Sequence, residues 1–397
     1  MRQSAYFSLL LITACCVMTT SCEKDDSSFS EYDFSTYTLR SEQGDADDTE
    51  NLSDTIALAI VWDGDNAHVS GETGDSVTVT TGAKSSDIVV RATTSRYLQL
   101  TVSGTSTDGS LLVYGERKWG LTLNGLTLAN TDGPAINNQC GKSLTVTVAD
   151  GSTNSLADGT TYAETDIDQK GTLFSEGQIY FRGKGELRVT GNCKNAIASD
   201  DYIVVEENGP AMTITANGTN GIKVNDGMTI CGGLIDISVA SNGGRGIRSE
   251  ARMTISGGET TISTTGDCLE ETLADGTTDY SSCAGIKCDS LFSMTQGTLT
   301  ITSSGDGGKG INCAQNVEFS GGTLTVTTTG TNFIAKPKGV KSDTDIIVSG
   351  GSFTVTVDKS WACDNGTETE DPEEMLTILG SPQTREVQKK AVKVVYF

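Results

Sequence analysis

Short apolar segments alternate with glycine-containing turns through the stretch Thr172–Thr356. Every group of segments opens with the same phrase, in which a small residue precedes an aliphatic residue, a variable residue and a second small residue. The aliphatic position recurs at residues 173, 197, 222, 247, 286, 311 and 340, so five of the six steps span 24 to 29 residues and one spans 39. A repeat with a nearly fixed period of this size indicates a stacked, solenoid architecture.

Two alternating apolar pairs follow the phrase in each repeat and flank a glycine turn. In one repeat, Met253 and Ile255 precede the turn Ser256–Gly258, and Thr260 and Ile262 follow it. Alternation of period two between turns predicts strands with one buried face, so each repeat of about 25 residues should hold three short strands. A single coil of such strands has no interior until another coil stacks on it. The sequence therefore predicts an all-β solenoid of the parallel β-helix type.

The regular pattern covers only part of the chain. Residues rich in Asp, Glu, Ser and Thr before the first strands cannot pack a core. The strands that begin near residue 57 are less regular and are predicted to form the first coils and a cap. The predicted segments are a lipoprotein signal peptide at 1–22, a flexible acidic tether at 23–54, the parallel β-helix at 55–358, and an acidic loop with a C-terminal capping strand at 359–397.

The first segment has the features of an export signal. Arg2 is its only charged residue, and a mostly apolar run leads to Cys22, the predicted lipidated residue. The phrase Ile12–Cys15 is a competing lipidation motif with a shorter apolar core, so both cysteines stay open as the attachment point. The acidic run Glu23–Asp26 resembles the export tag of surface lipoproteins from Bacteroides-type bacteria, which implies anchoring in the outer membrane at the cell surface.

Composition narrows the possible partners. The formal net charge is −24 and the sequence pI is about 4.3. A surface that binds nucleic acid needs a basic footprint, so this charge argues against nucleic acid as a partner. No second apolar run reaches the length of a membrane span, so we expect a monomer attached to the membrane by its lipid alone.

Several phrases between Ala67 and Val357 match a known family. The matching residues are Leu123–Leu126, Leu144–Asn154, Gly171–Ser175 and Val189–Asn192, together with the serial Gly-Ile-Lys and Ser-Gly-Gly-Thr phrases. The chain thus resembles the bacterial carbohydrate-binding family of calcium-containing right-handed parallel β-helix proteins, typified by a clostridial cell-surface protein that binds cellulose and pectin. The resemblance implies a right-handed parallel β-helix, polysaccharide as partner and calcium as cofactor. We therefore expect a non-catalytic, calcium-assisted surface lipoprotein for acidic pectin-like or cellulose-like glycans.

The variable position of the phrase points outward because its neighbours point inward. The residues there in five successive repeats are Lys223, Arg248, Lys287, Asn312 and Lys341, with further basic residues at 245, 309 and 338. A basic stripe on an acidic protein suits the carboxylates of an acidic polysaccharide. Phe174 occupies the same column in an earlier repeat and is the predicted ring for stacking on a sugar. The competing interpretation is an ion-pair ladder with the acids that follow the phrase, namely Asp200, Asp226, Glu250, Asp289 and Asp343.

A candidate calcium site lies at the turn after the third strand. Asn242, Asp267 and Asp306 occupy equivalent positions in successive repeats, which stacking would bring to intervals of about 5 Å. Two carboxylates and an amide oxygen at that spacing would lie unpaired without a cation, and hard oxygen ligands suit calcium. Glu270 and Glu271 are predicted to complete the shell. The competing interpretation is a set of solvated acids.

The cysteines allow one predicted disulfide. Cys268 and Cys283 bracket the extra residues of the 39-residue step, so we predict a bond that closes this loop. Cys288 and Cys313 fall in an inward column, where a buried ladder of thiols fits as well as a bond.

Two other functions stay open. A calcium-dependent polysaccharide lyase on this fold would need a base such as Lys223 or Lys287 beside a cation that neutralises a uronate. A structural or adhesive surface stalk would use the repeats without any ligand. His68 is the only histidine in the sequence, so a catalytic relay between a nucleophile and a histidine could use no other residue as its base.

Overall fold

The computed structural model describes residues 54–357, except 75 and 332–336, and the backbone of four short strands after residue 357. Both candidate lipidation residues, Cys15 and Cys22, lie outside the described residues. The same holds for residues 23–53 of the predicted tether and for most of the predicted C-terminal segment. The described residues belong to one unit, Glu50–Phe397.

Parallel strands wind into a β-solenoid of about 11 turns of roughly 25 residues, and the described part of the chain contains no helix. This confirms the predicted fold class. The strands form two long sheets of 12 and 23 strands and a separate two-stranded hairpin. No described segment is a helix of the length and apolarity that crossing a membrane requires.

The 12-stranded sheet collects the first strands of the turns, and those between residues 171 and 342 carry the repeated phrase. Its members are β3 (Val77–Thr81), β4 (Asp87–Ala92), β6 (Ser110–Gly115), β8 (Ile136–Asn138), β11 (Gly171–Ser175), β14 (Asn195–Ser199), β17 (Ile222–Val224), β20 (Arg245–Ser249), β25 (Ala284–Cys288), β28 (Lys309–Cys313), β31 (Lys338–Ser342) and β34 (Cys363–Asp364). β3 lies antiparallel to β4, and every later pair of neighbours in this sheet is parallel.

The 23-stranded sheet collects the second and third strands. The second strands are β9 (Leu144–Val148), β12 (Ile179–Arg182), β15 (Tyr202–Val205), β18 (Gly227–Ile230), β21 (Met253–Ile255), β26 (Phe292–Met294), β29 (Val317–Phe319), β32 (Ile346–Val348) and β35 (Thr377–Ile378). The third strands are β10 (Thr153–Asp158), β13 (Glu186–Gly191), β16 (Ala211–Ala216), β19 (Leu234–Val239), β22 (Glu259–Thr264), β27 (Thr298–Ser303), β30 (Thr323–Thr328) and β33 (Ser352–Val357).

The first turns differ from the three-strand pattern of the later repeats. There the second and third strands fuse into the long strands β1 (Thr55–Asp63), β5 (Tyr97–Ser106) and β7 (Trp119–Asn130). The register of β5 against β7 shifts between Val102 and Gly104. Gly104 has a φ of 88° and Gly125 one of 78°, so single glycines bend these strands where later turns carry a glycine pair.

The aliphatic position of the phrase forms one wall of the core. All seven side chains, at 173, 197, 222, 247, 286, 311 and 340, are 0 % exposed. Burial of each contributes about 1.5–3 kcal/mol relative to an exposed side chain. Cys288 and Cys313 are in-register neighbours in the inward small-residue column and are free thiols. The buried-ladder interpretation of this pair therefore holds.

Close contact between turns explains the small residue before each aliphatic. A Cβ on Gly246 would lie 2.3 Å from Cγ2 of Ile262 and 2.5 Å from the carbonyl oxygen of Gly285 in the next turn. A backbone carbonyl cannot withdraw from such a contact without moving its strand. The repeated Gly-Ile pair thus follows from how tightly the coils stack.

Antiparallel strands cover edges of the larger sheet. β2 (Asn66–Gly71) pairs with β1, and β37 (Ala391–Val395) pairs with β33 and with β36 (Thr384–Gln388). Covered edges are protected from pairing with another chain. The extra residues of the 39-residue step form the separate hairpin of β23 (Leu269–Thr272) and β24 (Thr278–Ser281).

Candidate functional site

The basic residues of the phrase lie in one row on the outward side of the 12-stranded sheet. In register order the row holds Lys223, Arg248, Lys287, Asn312 and Lys341. Neighbouring strands lie about 4.8 Å apart, so the row runs along the solenoid axis. The four cationic side chains are 17–31 % exposed. We call the outward side of β17, β20, β25, β28 and β31 the first-strand face.

A second row of cations lies beside the first. Arg245 is the register partner of Ala284, which pairs with Lys309, and Lys309 pairs with Lys338. These residues begin their strands, whereas the first row lies three residues further on. The first-strand face therefore carries seven cations on a protein of net charge −24.

Acids that follow the phrase pair with the first row. Nζ of Lys223 lies 3.1 Å from Oε1 of Glu250, and Lys341 contacts Asp343. The ion-pair ladder that competed with the glycan-binding interpretation is therefore present for Glu250, Asp289 and Asp343. Asp200 pairs instead with Lys170, outside the row. Partly exposed pairs of this kind contribute little to stability, about 0–1 kcal/mol each.

One acid serves two cations at the centre of the row. Asp289 Oδ2 lies 2.6 Å from Nη2 of Arg248, and its Oδ1 lies 3.6 Å from Nζ of Lys287. Burial alone would raise the pKa of Asp289, but the hydrogen bond and charge of Arg248, with help from Lys287, lower it. Asp289 is therefore ionised at neutral pH and holds the two cations together.

Burial disfavours the charged form of three cations on this face. Burial and then Arg248 lower the pKa of Lys287, and the same two causes lower the pKa of Arg245. Burial lowers the pKa of Lys309 to about 8, and three neighbouring lysines add to the effect. Groups whose charged form is disfavoured in the fold are concentrated at functional sites, because a ligand of opposite charge stabilises that charged form.

Phe174 is not available to a sugar. The residue lies in the outward column, but it is 0 % exposed, so its predicted stacking role is wrong. The segment between β10 and β11 passes over this column, and Asn137 donates a hydrogen bond of 3.1 Å to the carbonyl of Asp168 within it. Lys170, from the same segment, places Nζ 5.5 Å from the Phe174 ring centroid.

Two tyrosines provide partly exposed rings instead. Tyr180 on β12 and Tyr202 on β15 meet edge to face with ring centroids 5.7 Å apart, and their hydroxyls are hydrogen-bonded to each other. A tyrosine presents an apolar ring with a polar tip, which suits the face and hydroxyls of a sugar. These rings lie at the second-strand column, away from the basic rows.

An acidic cluster lies at the start of the regular turns. Carboxylate oxygens of Asp168, Glu176 and Asp200 approach one another within 4.8 Å, and together they could hold a metal ion. Nζ of Lys170 lies 2.7 Å from Asp168 and 2.5 Å from Asp200, so an ammonium neutralises part of the cluster. Burial, followed by the charge of Asp200, raises the pKa of Glu176. Three hard carboxylates fit a divalent cation such as calcium, provided Lys170 moves aside.

Sequence reasoning missed this cluster for an identifiable reason. Ser175 and Ser199 are register partners, so Glu176 and Asp200 follow at equivalent positions and could have been paired. Asp168 belongs to the segment between β10 and β11, whose path no periodicity determines.

The predicted calcium column is a ladder of side chain to backbone bonds. The N–H of Asp267 donates to Oδ1 of Asn242 at 3.0 Å, and the N–H of Asp306 donates to Oδ1 of Asp267 at 2.8 Å. The expectation that these oxygens lie unpaired without a cation is therefore wrong, because each next turn supplies a donor. Glu270 and Glu271 are exposed on β23. Metal binding by this column stays a prediction.

Cys268 and Cys283 are free thiols, so the predicted disulfide is wrong. The hairpin register pairs Leu269 with Ser281, which puts Cys268 opposite Ser282 rather than Cys283. Adjacent residues of an extended chain face opposite sides, and Cys283 is fully buried. A shift of one residue thus separates the two sulfurs.

Comparison with known proteins identifies the family. The sequence profile of the family described as carbohydrate-binding domain-containing protein matches residues 73–251 and 238–332, which is more than half of the chain. This chain belongs to that carbohydrate-binding family. Most of the first-strand face lies inside the matched residues. Membership supports polysaccharide as the partner at a general level and favours a non-catalytic role.

A solved structure has a similar fold. It is the gadolinium derivative of the polysaccharide lyase-like protein from C. thermocellum, with a TM-score of 0.52 and 24 % sequence identity. The alignment covers 67 % of this chain and 97 % of that chain. The similarity concerns the fold alone. No curated protein matches the chain significantly by sequence.

Proposed function

We propose that this protein is a non-catalytic surface lipoprotein that binds an acidic, pectin-like polysaccharide along the first-strand face, with calcium assisting. The observation that carries the proposal is the pair of cation rows parallel to the solenoid axis. A uronate polymer presents carboxylates at regular intervals, so one extended chain would contact several turns. Arginine and lysine recognise carboxylates through short, charge-assisted hydrogen bonds.

The ion pairs on this face are compatible with a ligand. A guanidinium has five N–H donors and an ammonium three, so the contact of Arg248 with Asp289 leaves donors for a second acceptor. Polymer carboxylates would bind these remaining donors and would compete with the acids of the row for the others. Retention should therefore weaken as salt screens the face.

A neutral, cellulose-like glycan suits a different surface. The outward residues of β27, β30 and β33 stack in register over three turns and carry no charge. They are Thr298, Thr300, Thr302, Thr323, Thr325, Thr327, Ser352, Thr354 and Thr356. Each hydroxyl both donates and accepts, which matches the hydroxyls of a neutral sugar chain. Retention on cellulose should then be independent of the basic rows.

The calcium part of the proposal is supported by the Asp168, Glu176 and Asp200 cluster. A cation that binds only the folded protein raises its melting temperature by mass action. Calcium would need to displace the Lys170 ammonium, so its effect should be modest in the natural sequence.

Outer-membrane anchoring is proposed from the sequence alone. Cys22→Ser should move the protein from the membrane fraction to the soluble fraction, while Cys15→Ser should leave it membrane-bound. The opposite pattern would place the lipid on Cys15. If neither substitution released the protein from the membrane fraction, lipid anchoring through these cysteines would be contradicted.

A uronate lyase is the second candidate. The lowered pKa of Lys287 favours it, because a less basic lysine supplies more of the neutral amine that abstracts a proton. A lyase would release unsaturated uronates that absorb in the ultraviolet. An increase in absorbance with soluble pectate would replace the binding proposal with an enzymatic one.

Retention on insoluble pectate, compared with cellulose, tests the proposed function. The purified protein should be held by pectate at low salt and elute as salt rises. Failure to bind pectate at low salt would contradict the proposal, as would binding that high salt leaves unchanged.

A further inference from the structure

The two cation rows meet where β20, β25 and β28 adjoin. Arg245 and Arg248 lie on β20, Lys287 on β25 and Lys309 on β28. Arg248 and Lys287 are register partners, and only the small Ala284 separates Arg245 from Lys309. Four cations thus occupy three adjacent strands.

Two arginine nitrogens in this group have no acceptor. Nε of Arg245 and Nη1 of Arg248 are buried and make no hydrogen bond to any described residue. A buried donor left unpaired costs about 1–3 kcal/mol, and more on a charged group, so folded proteins seldom keep one without a reason. Two such donors on one strand indicate an acceptor that comes from outside the chain.

Lys309 adds an ammonium with no carboxylate of its own. Its Nζ contacts the hydroxyl of Ser282, and it forms no ion pair within the described residues. The titratable groups that face it are Lys287 on β25, Lys338 and Lys341 on β31, and the thiol of Cys268 beside the hairpin. Three of these four are cations.

The β23–β24 hairpin borders the group. Ser282 follows β24 directly, and Glu271 on β23 partly offsets the effect of burial on Arg245. The hairpin is inserted in this turn, between β22 and β25. The cations therefore face a bounded part of the first-strand face.

We infer that Arg245, Arg248, Lys287 and Lys309 form a discrete oxyanion site that takes a carboxylate or a sulfate group. Arginine presents a planar fork to either group, and the lysines supply point charges beside it. A glycan as the source of the anion rests on the proposed function. The oxyanion chemistry rests on these residues alone.

Anion binding at this site should be accompanied by proton uptake at Lys309, whose surroundings disfavour the charged amine. Burial and its neighbours lower its pKa to about 8, so at pH 9 only ~10 % of the free amine is protonated. A bound anion that restores the ordinary value near ~10.4 makes protonation almost complete. Binding should therefore take up ~0.9 proton at pH 9 and ~0.1 proton at pH 7.

Titration of the full-length protein with trigalacturonate, inorganic sulfate and neutral cellotriose tests the inference. Affinity comes from calorimetry, and proton uptake comes from the pH change in weakly buffered solution. At least one of the two anions should bind with the stated proton uptake, and cellotriose should produce no uptake. Binding of neither anion would overturn the site.

Three variants separate the site from general charge. Lys309→Met should weaken anion binding at least about tenfold, because a charge-assisted hydrogen bond is lost, and should abolish the uptake. Lys309→Arg keeps the charge at every pH, so it should bind anions without uptake, and it guards against a Met variant that does not fold. Lys184→Met removes an exposed charge elsewhere and should match the natural protein. Uptake that persists in Lys309→Arg would overturn the role of Lys309.

The outcome distinguishes this site from the proposed function. If the protein binds trigalacturonate with this proton uptake but is not retained on pectate, the site is supported and the proposed function is contradicted. If pectate retains Lys309→Met and the natural protein equally, the proposed function is supported and the site is contradicted.

Discussion

Replacement of Asp289 by asparagine should weaken the fold and strengthen binding of an acidic polysaccharide at the same time. The carboxylate lies 2.6 Å from Nη2 of Arg248 and 3.6 Å from Nζ of Lys287. It stabilises both cations in the free protein and competes with a ligand for the same donors. A purely structural ladder predicts only the first effect.

The size of the stability effect follows from burial. The side chains of Asp289 and Arg248 are 27 % and 17 % exposed. Breaking a fully buried pair costs about 3–5 kcal/mol, and exposed pairs contribute about 0–1 kcal/mol. This pair lies between the two limits, so Asp289→Asn should lower the free energy of unfolding by about 1–3 kcal/mol at pH 7.

The effect should depend on pH in one direction. The pKa of Asp289 is lower in the folded protein than its ordinary value. Its stabilising contribution is therefore complete above the unfolded pKa of about 3.9 and is lost as pH falls through the folded value. The difference between Asp289→Asn and the natural protein should shrink below about pH 4.

Urea unfolding and pectate affinity measure the two effects. Asp236→Asn is the matched control, because Asp236 is exposed on β19, on another face. It makes the same charge change and should alter stability by less than about 0.5 kcal/mol. Asp289→Asn should bind pectate about two- to fivefold more tightly than the control, from about 0.5–1 kcal/mol of relieved competition. Equal stability of the two variants would refute the pairing argument, and equal or weaker pectate binding by Asp289→Asn would refute the ligand argument.

Three further outcomes are expected. Gly246→Ala should lower the unfolding free energy by about 1–3 kcal/mol in urea titrations, because its Cβ would overlap the next turn. Gly141→Ala is the control, because its Cβ would meet open space. Equal unfolding midpoints of the two variants would contradict the stacking argument. Calcium should raise the melting temperature over that in chelator, and Asp200→Asn should remove the shift; a shift that survives the substitution would place the cation elsewhere. Peptide mapping under non-reducing conditions should find Cys268 and Cys283 unlinked, and a cross-linked peptide would contradict the free thiols of this structure.

The solenoid was predictable because its constraints are local and repeat. The aliphatic residue of the phrase, such as Ile247, points inward for the same reason in every turn. The residue before it, such as Gly246, is small because the next turn leaves no room for a Cβ. The outward basic row was predictable from the same alternation. The fused strands of the first turns were not, because single glycines such as Gly104 bend a strand without interrupting it.

The errors share a physical origin. Phe174 was misassigned because the segment that covers its column has no period. The disulfide failed on a one-residue register in a hairpin, which the spacing of Cys268 and Cys283 does not reveal. Asp267 was expected to need a cation because the backbone donor of the next turn cannot be seen in the sequence. Local pattern therefore determines which way side chains point, and contacts from irregular segments decide what they meet.

Retention on pectate of two fourfold variants tests the central claim most directly. The first replaces Lys223, Arg248, Lys287 and Lys341 by serine. The second is matched in charge and replaces exposed cations outside the first-strand face, namely Lys142, Lys184, Arg188 and Lys194, by serine. With both proteins shown to be folded by their melting curves, the first should lose retention at low salt and the second should keep it. Equal retention of the two variants would contradict binding of an acidic polysaccharide by the first-strand face.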